Sequence, residues 1–278
     1  MITWLRAAVA AMVLAISAPA LAEPKGVFRQ AHELGSGDNS SLDPISAGRV
    51  FQITEKLMSR LVRPGFDGKP APDLAVSWSA NADATEWTFK LRPNVKFHNG
   101  QALTADDVVY SFRRIQDPKL DSPVRSVIAI VDAIDAIDAL TVKMKLKSSF
   151  ADLPLILTDY RLMIIPKDSG DTIKTTGIGT GPFKLEKFEP RGVTVLKANR
   201  DYFEGAPLVE TMEIIAIPDA QARMQALLGG QIDMLPGITQ QQRALFERSG
   251  KHKVQEVVTG NWRGVVFRTD VKPFDDAR

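Results

Sequence analysis

The stretch from Thr85 to Arg114 constrains the fold more tightly than any other part of the chain. Thr85, Trp87, Phe89 and Leu91 alternate with Glu86, Thr88 and Lys90. A strand sends successive side chains to opposite faces, so this pattern predicts a half-buried strand with its aromatics inward. Arg92-Pro93-Asn94 interrupts it, Val95 and Phe97 resume the alternation, and Asn99-Gly100 supplies a tight turn. Thr104 then stands where a helix needs its N-cap. Asp106 and Asp107 follow in the first turn, where the peptide dipoles favour negative charge. Val108, Phe112 and Ile115 form the apolar stripe of that helix. Trp87, Phe89, Val95, Phe97 and Phe112 are therefore expected in a core, not around a reactive centre.

The rest of the chain mixes the two periodicities. Gly26 to Ala31 reads as a strand, and Gly35-Ser36-Gly37-Asp38-Asn39-Ser40-Ser41 as a loop. Val50, Ile53, Leu57 and Leu61 have helical spacing. Val142, Met144 and Leu146 alternate with Thr141, Lys143 and Lys145, after a turn at Asp138-Ala139-Leu140 that closes the Ile128–Ile137 run. Phe183–Glu186, Val193–Val195 and Met212–Ile214 read as strands. Asp219 is placed to cap a helix carrying Ala222, Leu227 and Leu228, which Gly229-Gly230 ends before a strand over Ile232–Leu235. Neither a regular βαβ alternation nor an all-β pattern emerges, so the expected class is α+β with mixed sheets flanked by helices.

Composition narrows function by exclusion. With 278 residues the chain can bury a normal core without covalent staples. The net charge of +2 comes from interleaved Lys, Arg, Asp and Glu, with no basic block to suit nucleic acid or an anionic membrane. There is no cysteine, hence no disulfide, thiolate metal site, cysteine nucleophile or lipid-modified amino-terminal Cys. The amino terminus carries one cationic side chain at Arg6 and then an uncharged run from Ala7 to Ala22. That run ends in Ala20-Leu21-Ala22, the pattern of a signal peptide cleaved after Ala22. It falls short of the about 20 apolar residues that span a bilayer. The chain is therefore expected outside the cytoplasm, free rather than tethered.

Catalytic signatures do not assemble. His32, His98 and His252 lack ligand spacing and are expected at the surface or packed in turns. Gly177-Ile178-Gly179-Thr180-Gly181 lacks the Lys-Ser/Thr of a phosphate loop, and Pro182 follows it, so a tight turn between strands is expected. Gly35-Ser36-Gly37 is not a nucleophile elbow. Asp106 and Asp107, as helix neighbours, do not face each other as an acid–base pair would. No metal and no cofactor are expected.

The segment Trp87-Thr88-Phe89-Lys90-Leu91-Arg92-Pro93-Asn94-Val95-Lys96-Phe97-His98-Asn99-Gly100, continued by Leu103-Thr104-Ala105-Asp106-Asp107-Val108, resembles the signature of the peptide/nickel class of extracellular solute-binding proteins. Leu42-Asp43-Pro44, Pro72-Asp73-Leu74-Ala75, Gly179-Thr180-Gly181-Pro182-Phe183, Asn199-Arg200-Asp201-Tyr202-Phe203, Gly230-Gln231-Ile232-Asp233 and Lys272-Pro273-Phe274-Asp275 match it in the expected order. Dipeptide and oligopeptide receptors are its nearest familiar members. Proteins of that class continue through a second lobe, so by resemblance this chain is a truncated version supplying mostly the first lobe.

The resemblance implies a periplasmic-binding-protein-like fold. A signal peptide would span 1–22. A discontinuous ligand-cleft subdomain would comprise 23–47 and 172–266, with a β-rich subdomain inserted over 48–171 and a second lobe starting at 267–278. It implies capture of a small solute, a peptide first, by a monomer that delivers it to an ABC permease in the inner membrane. Nickel chelates, haem, sugars and opines are alternative solutes within the class. Glu33, Leu34, Gly35 and Ser36 would offer backbone groups to the ligand, with Asp38 or Asn39 assisting. Arg161 and Arg125 would be available to a carboxylate, and Trp262 would line the cleft. A periplasmic hydrolase, or a sensory or chaperone-like binding module on the same scaffold, is the competing reading.

Overall fold

A computed structural model describes residues 23–33, 40–46 and 50–256. Trp262, the residues flanking the proposed cleavage site on its amino-terminal side, and the last 22 residues lie outside that range, as do Leu34 to Asn39. The strands are β1 (Val27–His32), β2 (Val62–Pro64), β3 (Pro70–Pro72), β4 (Ala75–Ala80), β5 (Glu86–Leu91), β6 (Val131–Asp138), β7 (Thr141–Leu146), β8 (Phe183–Lys187), β9 (Val193–Ala198) and β10 (Thr211–Ala216). The helices are α1 (Phe51–Leu57), α2 (Ala105–Gln116), α3 (Leu153–Ile156), α4 (Ile173–Thr176), α5 (Ala220–Leu228) and α6 (Gln240–Ser249). Two four-stranded sheets result, ordered β1-β10-β9-β8 and β4-β5-β7-β6, with β2-β3 as a separate hairpin. All pairings in the second sheet are antiparallel, whereas β1 and β10 run parallel.

The alternation in β5 reads out as predicted. Trp87, Phe89 and Leu91 are buried, and Phe89 is fully so. They join Val95, Phe97, Val108, Phe112 and Ile115 in one core, together with Val142, Met144 and Leu146 from β7. At the start of α2 the residue at the third helical position does the capping. The Asp107 carboxylate accepts the Thr104 backbone N–H at 2.8 Å through Oδ2, and its Oδ1 accepts the Lys167 N–H at 2.8 Å. Asp107 is thus a buried structural acid. A second core lies against the first sheet and gathers Leu42, Ile53, Leu57, Phe183, Leu196, Met212 and Ile214.

The two sheets meet at a glycine turn. Gly177-Ile178-Gly179-Thr180-Gly181 does not connect two strands, as the sequence suggested, but leaves α4 and enters β8. The reason is that it must pass directly over the end of α1. Gly181 N–H donates to the Leu57 carbonyl at 2.9 Å, and a Cβ on Gly181 would lie 2.6 Å from the Lys56 oxygen. His98, in the Asn99-Gly100 turn, grips the same loop from the second sheet. Its N–H donates to Gly179 O at 2.8 Å, its Nδ1 accepts Gly179 N–H at 3.3 Å, and its Nε2 meets Gly181 O at 3.1 Å. With Nδ1 accepting, Nε2 must carry the proton, and the ring is neutral. A second tie is the ion pair of Asp43 and Arg114, bidentate at 2.6 and 2.9 Å and nearly buried.

One expected strand is reduced. Ile232–Leu235 contributes a single parallel bridge, Gln30 to Met234, because Gly229, Gly230 and Gly237 turn the chain within a few residues.

Two predictions follow from the joint. Forcing a methyl against backbone costs about 1–3 kcal/mol, so Gly181→Ala should lower the urea midpoint clearly. Gly192→Ala, whose methyl would meet only the flexible Glu189 carboxylate at 3.2 Å, should be nearly silent. Burial presses the His98 pKa down from 6.5 to about 4, with Lys184 adding to the effect. A group that binds its proton less well when folded stabilises the fold above its unfolded pKa. That contribution is lost as pH falls through the folded value. The stability difference between the natural chain and His98→Gln should therefore shrink from pH 7 to pH 4, as read by urea unfolding.

Candidate ligand-cleft wall

The parallel pair β1–β10 ends at His32 and Ala216, and α5 begins four residues later. The carboxyl ends of parallel strands are where open sheets receive ligands, because the loops diverge there. Asp219 caps α5, accepting the Ala222 N–H at 2.7 Å. This cap fixes the first turn and brings Arg223 back over the strand end. Arg223 Nη1 donates to the carbonyls of Ile217 and Pro218 at 2.7 and 2.8 Å, and its Nη2 faces Glu33 Oε2 at 3.5 Å. The Arg223 side chain is 13% exposed and that of Glu33 is 74% exposed.

His32 lies beneath this group at 2% exposure. It is not the surface histidine that its isolation in the sequence suggested, because it ends a strand whose last three residues are all buried. Burial first, and the Arg223 guanidinium second, lower its pKa from 6.5 to about 4, so it is neutral at pH 7. On the other side of β1, Arg29 N–H donates to Asp233 Oδ2 at 2.7 Å, and Met234 O accepts the Ala31 N–H. These contacts seat the 232–235 segment along β1. A cleft of about 830 Å³ opens beyond it, lined in part by Leu227, Met234, Leu235, Thr239, Arg243 and Phe246.

Of the residues singled out from the sequence, Glu33 stands at this strand end. Leu34, Gly35, Ser36, Asp38, Asn39 and Trp262 fall outside the described residues. Arg161 sits beside the second sheet's core, donating to both Asp159 carboxylate oxygens at 2.8 and 2.6 Å and lying over the Tyr160 ring at 5.6 Å. Arg125 donates to the Asp117 carbonyl at 3.2 Å, while its buried Nε has no partner. A further cleft of about 610 Å³ lies along α2, but its cations are engaged: Arg113 by Asp135, Arg114 by Asp43 and Lys167 by Asp106. The sequence reading missed Arg223. Its one local signal was its place four residues after a capping Asp at a strand exit, which makes it reach backwards.

Solved structures share the fold. MoaA in complex with mannopinic acid, from A. tumefaciens R10, aligns with a TM-score of 0.74 at 29% identity, covering 91% of this chain and 53% of that one. DppA from Helicobacter pylori, in complex with the peptide STSA, gives a TM-score of 0.70 at 26% identity, covering 81% of this chain and 49% of that one. The fold is that of a periplasmic binding protein, and these residues build about one of its lobes. Among curated proteins, probable di/tripeptide-binding protein 5 of Pseudomonas aeruginosa strain UCBPP-PA14 is 28% identical over 255 residues, 80% of this chain and 47% of that protein. The model for bacterial extracellular solute-binding proteins, family 5 Middle, matches residues 69–278, and the chain belongs to that family. It spans less than half the length of such curated relatives.

The two contacts of Arg223 should separate on mutation. Arg223→Ala leaves two backbone carbonyls without their donor and should cost about 1–3 kcal/mol. Glu33→Gln removes only a solvated ion pair and should change stability by less than about 0.5 kcal/mol. Urea unfolding of both variants checks this.

Proposed function

We propose that this chain is solute-capturing material of an ABC importer receptor, taking up peptides or similar small solutes in the periplasm for delivery to an inner-membrane permease. The observation that carries the reading is family membership over residues 69–278, together with a cleft bordered by the 232–235 segment that is seated along β1. Among the described residues no helix is long and apolar enough to cross a membrane. In this reading residues 1–22 are a signal peptide removed after Ala22, and the mature chain works as a free monomer. Residues 23–47 and 172–266 form the ligand-facing part and 48–171 an insert. The separate sheets support that division, while the second core spans it, taking Val50, Ile53, Leu57, Met58, Met163 and Ile165 from the insert.

Capture is a binding task, so the chain acts without breaking bonds. A polar solute enclosed by two lobes must have its hydrogen bonds replaced by protein groups, and hinge closure completes that replacement. Backbone groups of Glu33, Leu34, Gly35 and Ser36, with Asn39, Arg161 and Trp262, are the proposed contacts on this side. Peptide is favoured as the solute because probable di/tripeptide-binding protein 5 and DppA with its bound peptide are among the relatives.

Exported, purified chain should carry or bind short peptides and return them intact. Native mass spectrometry of the purified protein, followed by chromatography of a tripeptide mixture after overnight incubation, reads both. Hydrolysed peptides would overturn the reading in favour of a periplasmic hydrolase.

A further inference from the structure

His32 is a buried hydrogen-bonding group without a hydrogen-bond partner among the described residues. It is 2% exposed, and neither Nδ1 nor Nε2 meets a donor or acceptor. His98 gives the contrast, since both its ring nitrogens are taken. Buried polar groups in folded proteins nearly always have partners, and one left unpaired calls for a reason. Packing supplies none here, because an apolar side chain would fill the same space at less cost.

Position supplies one. His32 is the last residue of β1, at the carboxyl end of the parallel pair, and the chain leaves it directly into Glu33. The His32 carbonyl accepts the Ile217 N–H at 2.9 Å, and the Ile217 carbonyl in turn accepts from Arg223 Nη1, so the guanidinium is held at this strand end. Arg223 Nη1 is held by the Ile217 and Pro218 carbonyls, which orient the group but do not neutralise it. Nη2 faces one carboxylate, Glu33, at 3.5 Å from a side chain mostly in solvent. Exposed pairs of this length are weak and easily exchanged. A fixed guanidinium and an unpartnered imidazole at the same strand end offer two donors suited to a carboxylate, because charge-assisted hydrogen bonds are the strong ones.

We propose that His32 and Arg223 together receive a carboxylate of the captured solute, and that Glu33 pairs with Arg223 when no solute is bound. The proposal rests on the capture reading above and names the group that the site takes. The incoming carboxylate accepts from a His32 ring N–H and from Arg223 Nη2, and the Glu33 side chain turns out into water. Both buried donors are then used.

The chain has only three histidines, so their imidazole signals are few and can be followed by NMR. Trialanine and trialanine amide are the probes, identical but for the carboxylate. Titrating trialanine should shift the His32 ring signals, assigned by their loss in His32→Gln, and leave those of His98 in place. The amide should bind at least tenfold more weakly. His32→Gln should weaken trialanine several-fold and the amide by less, and Glu33→Gln should bind trialanine more tightly. The acid–amide comparison on the natural chain needs no variant and stands even if one fails to fold. If trialanine and its amide bind equally and the His32 signals do not move, the proposal is wrong and capture stands. If trialanine perturbs no backbone amide anywhere in the chain, the peptide-capture reading fails and the proposal falls with it.

Discussion

The Gly181 N–H to Leu57 carbonyl hydrogen bond, at 2.9 Å, requires two backbones to touch, and the rest of the structure is arranged around that contact. Side chains on the turn would hold them apart, which is why glycine stands at both 179 and 181. Once the turn lies over the end of α1, β8 starts at a fixed height and draws β9 and β10 into register behind it. β10 then accepts β1 in parallel, and the strand end that carries His32 is set. His98 adds the other sheet to the same point, with three hydrogen bonds to one loop. A neutral imidazole is required there, since Nδ1 must accept, and burial keeps it neutral.

The Asp43–Arg114 pair plays a different part. Nearly buried ion pairs add little net stability over apolar packing, but removing one partner strands the other charge. Their value is in geometry: a planar guanidinium against a carboxylate accepts only one mutual placement. Here it locks Asp43, in the Leu42-Asp43-Pro44 segment, to α2.

Much of this was legible in the sequence, and the reason is range. β5, β7, α2 and α5 announce themselves through period and caps, which are properties of a few adjacent residues. Phe89 and Phe112 could be assigned to a core because alternation and helical spacing each place them inward. The joint was not legible: nothing local about Gly179 or Gly181 says that Leu57 passes beneath them. The same holds for His32, which looked isolated because its charged neighbour, Arg223, is far away in sequence. Glu33 was picked out by resemblance, yet its ion pair is with that same distant arginine. Ile232–Leu235 shows the opposite failure, where an apolar run suggested a strand and flanking glycines shortened it to one bridge.

If the two sheets are joined as described, the solute wall at the end of β1 is held by the whole molecule and not by one sheet alone. Differential scanning calorimetry of the chain tests this most directly. A single transition, with calorimetric and van't Hoff enthalpies equal, is the result expected of one cooperative body. Two resolved transitions, or a calorimetric enthalpy well above the van't Hoff value, would show that the sheets melt separately and that the joint does not govern the site.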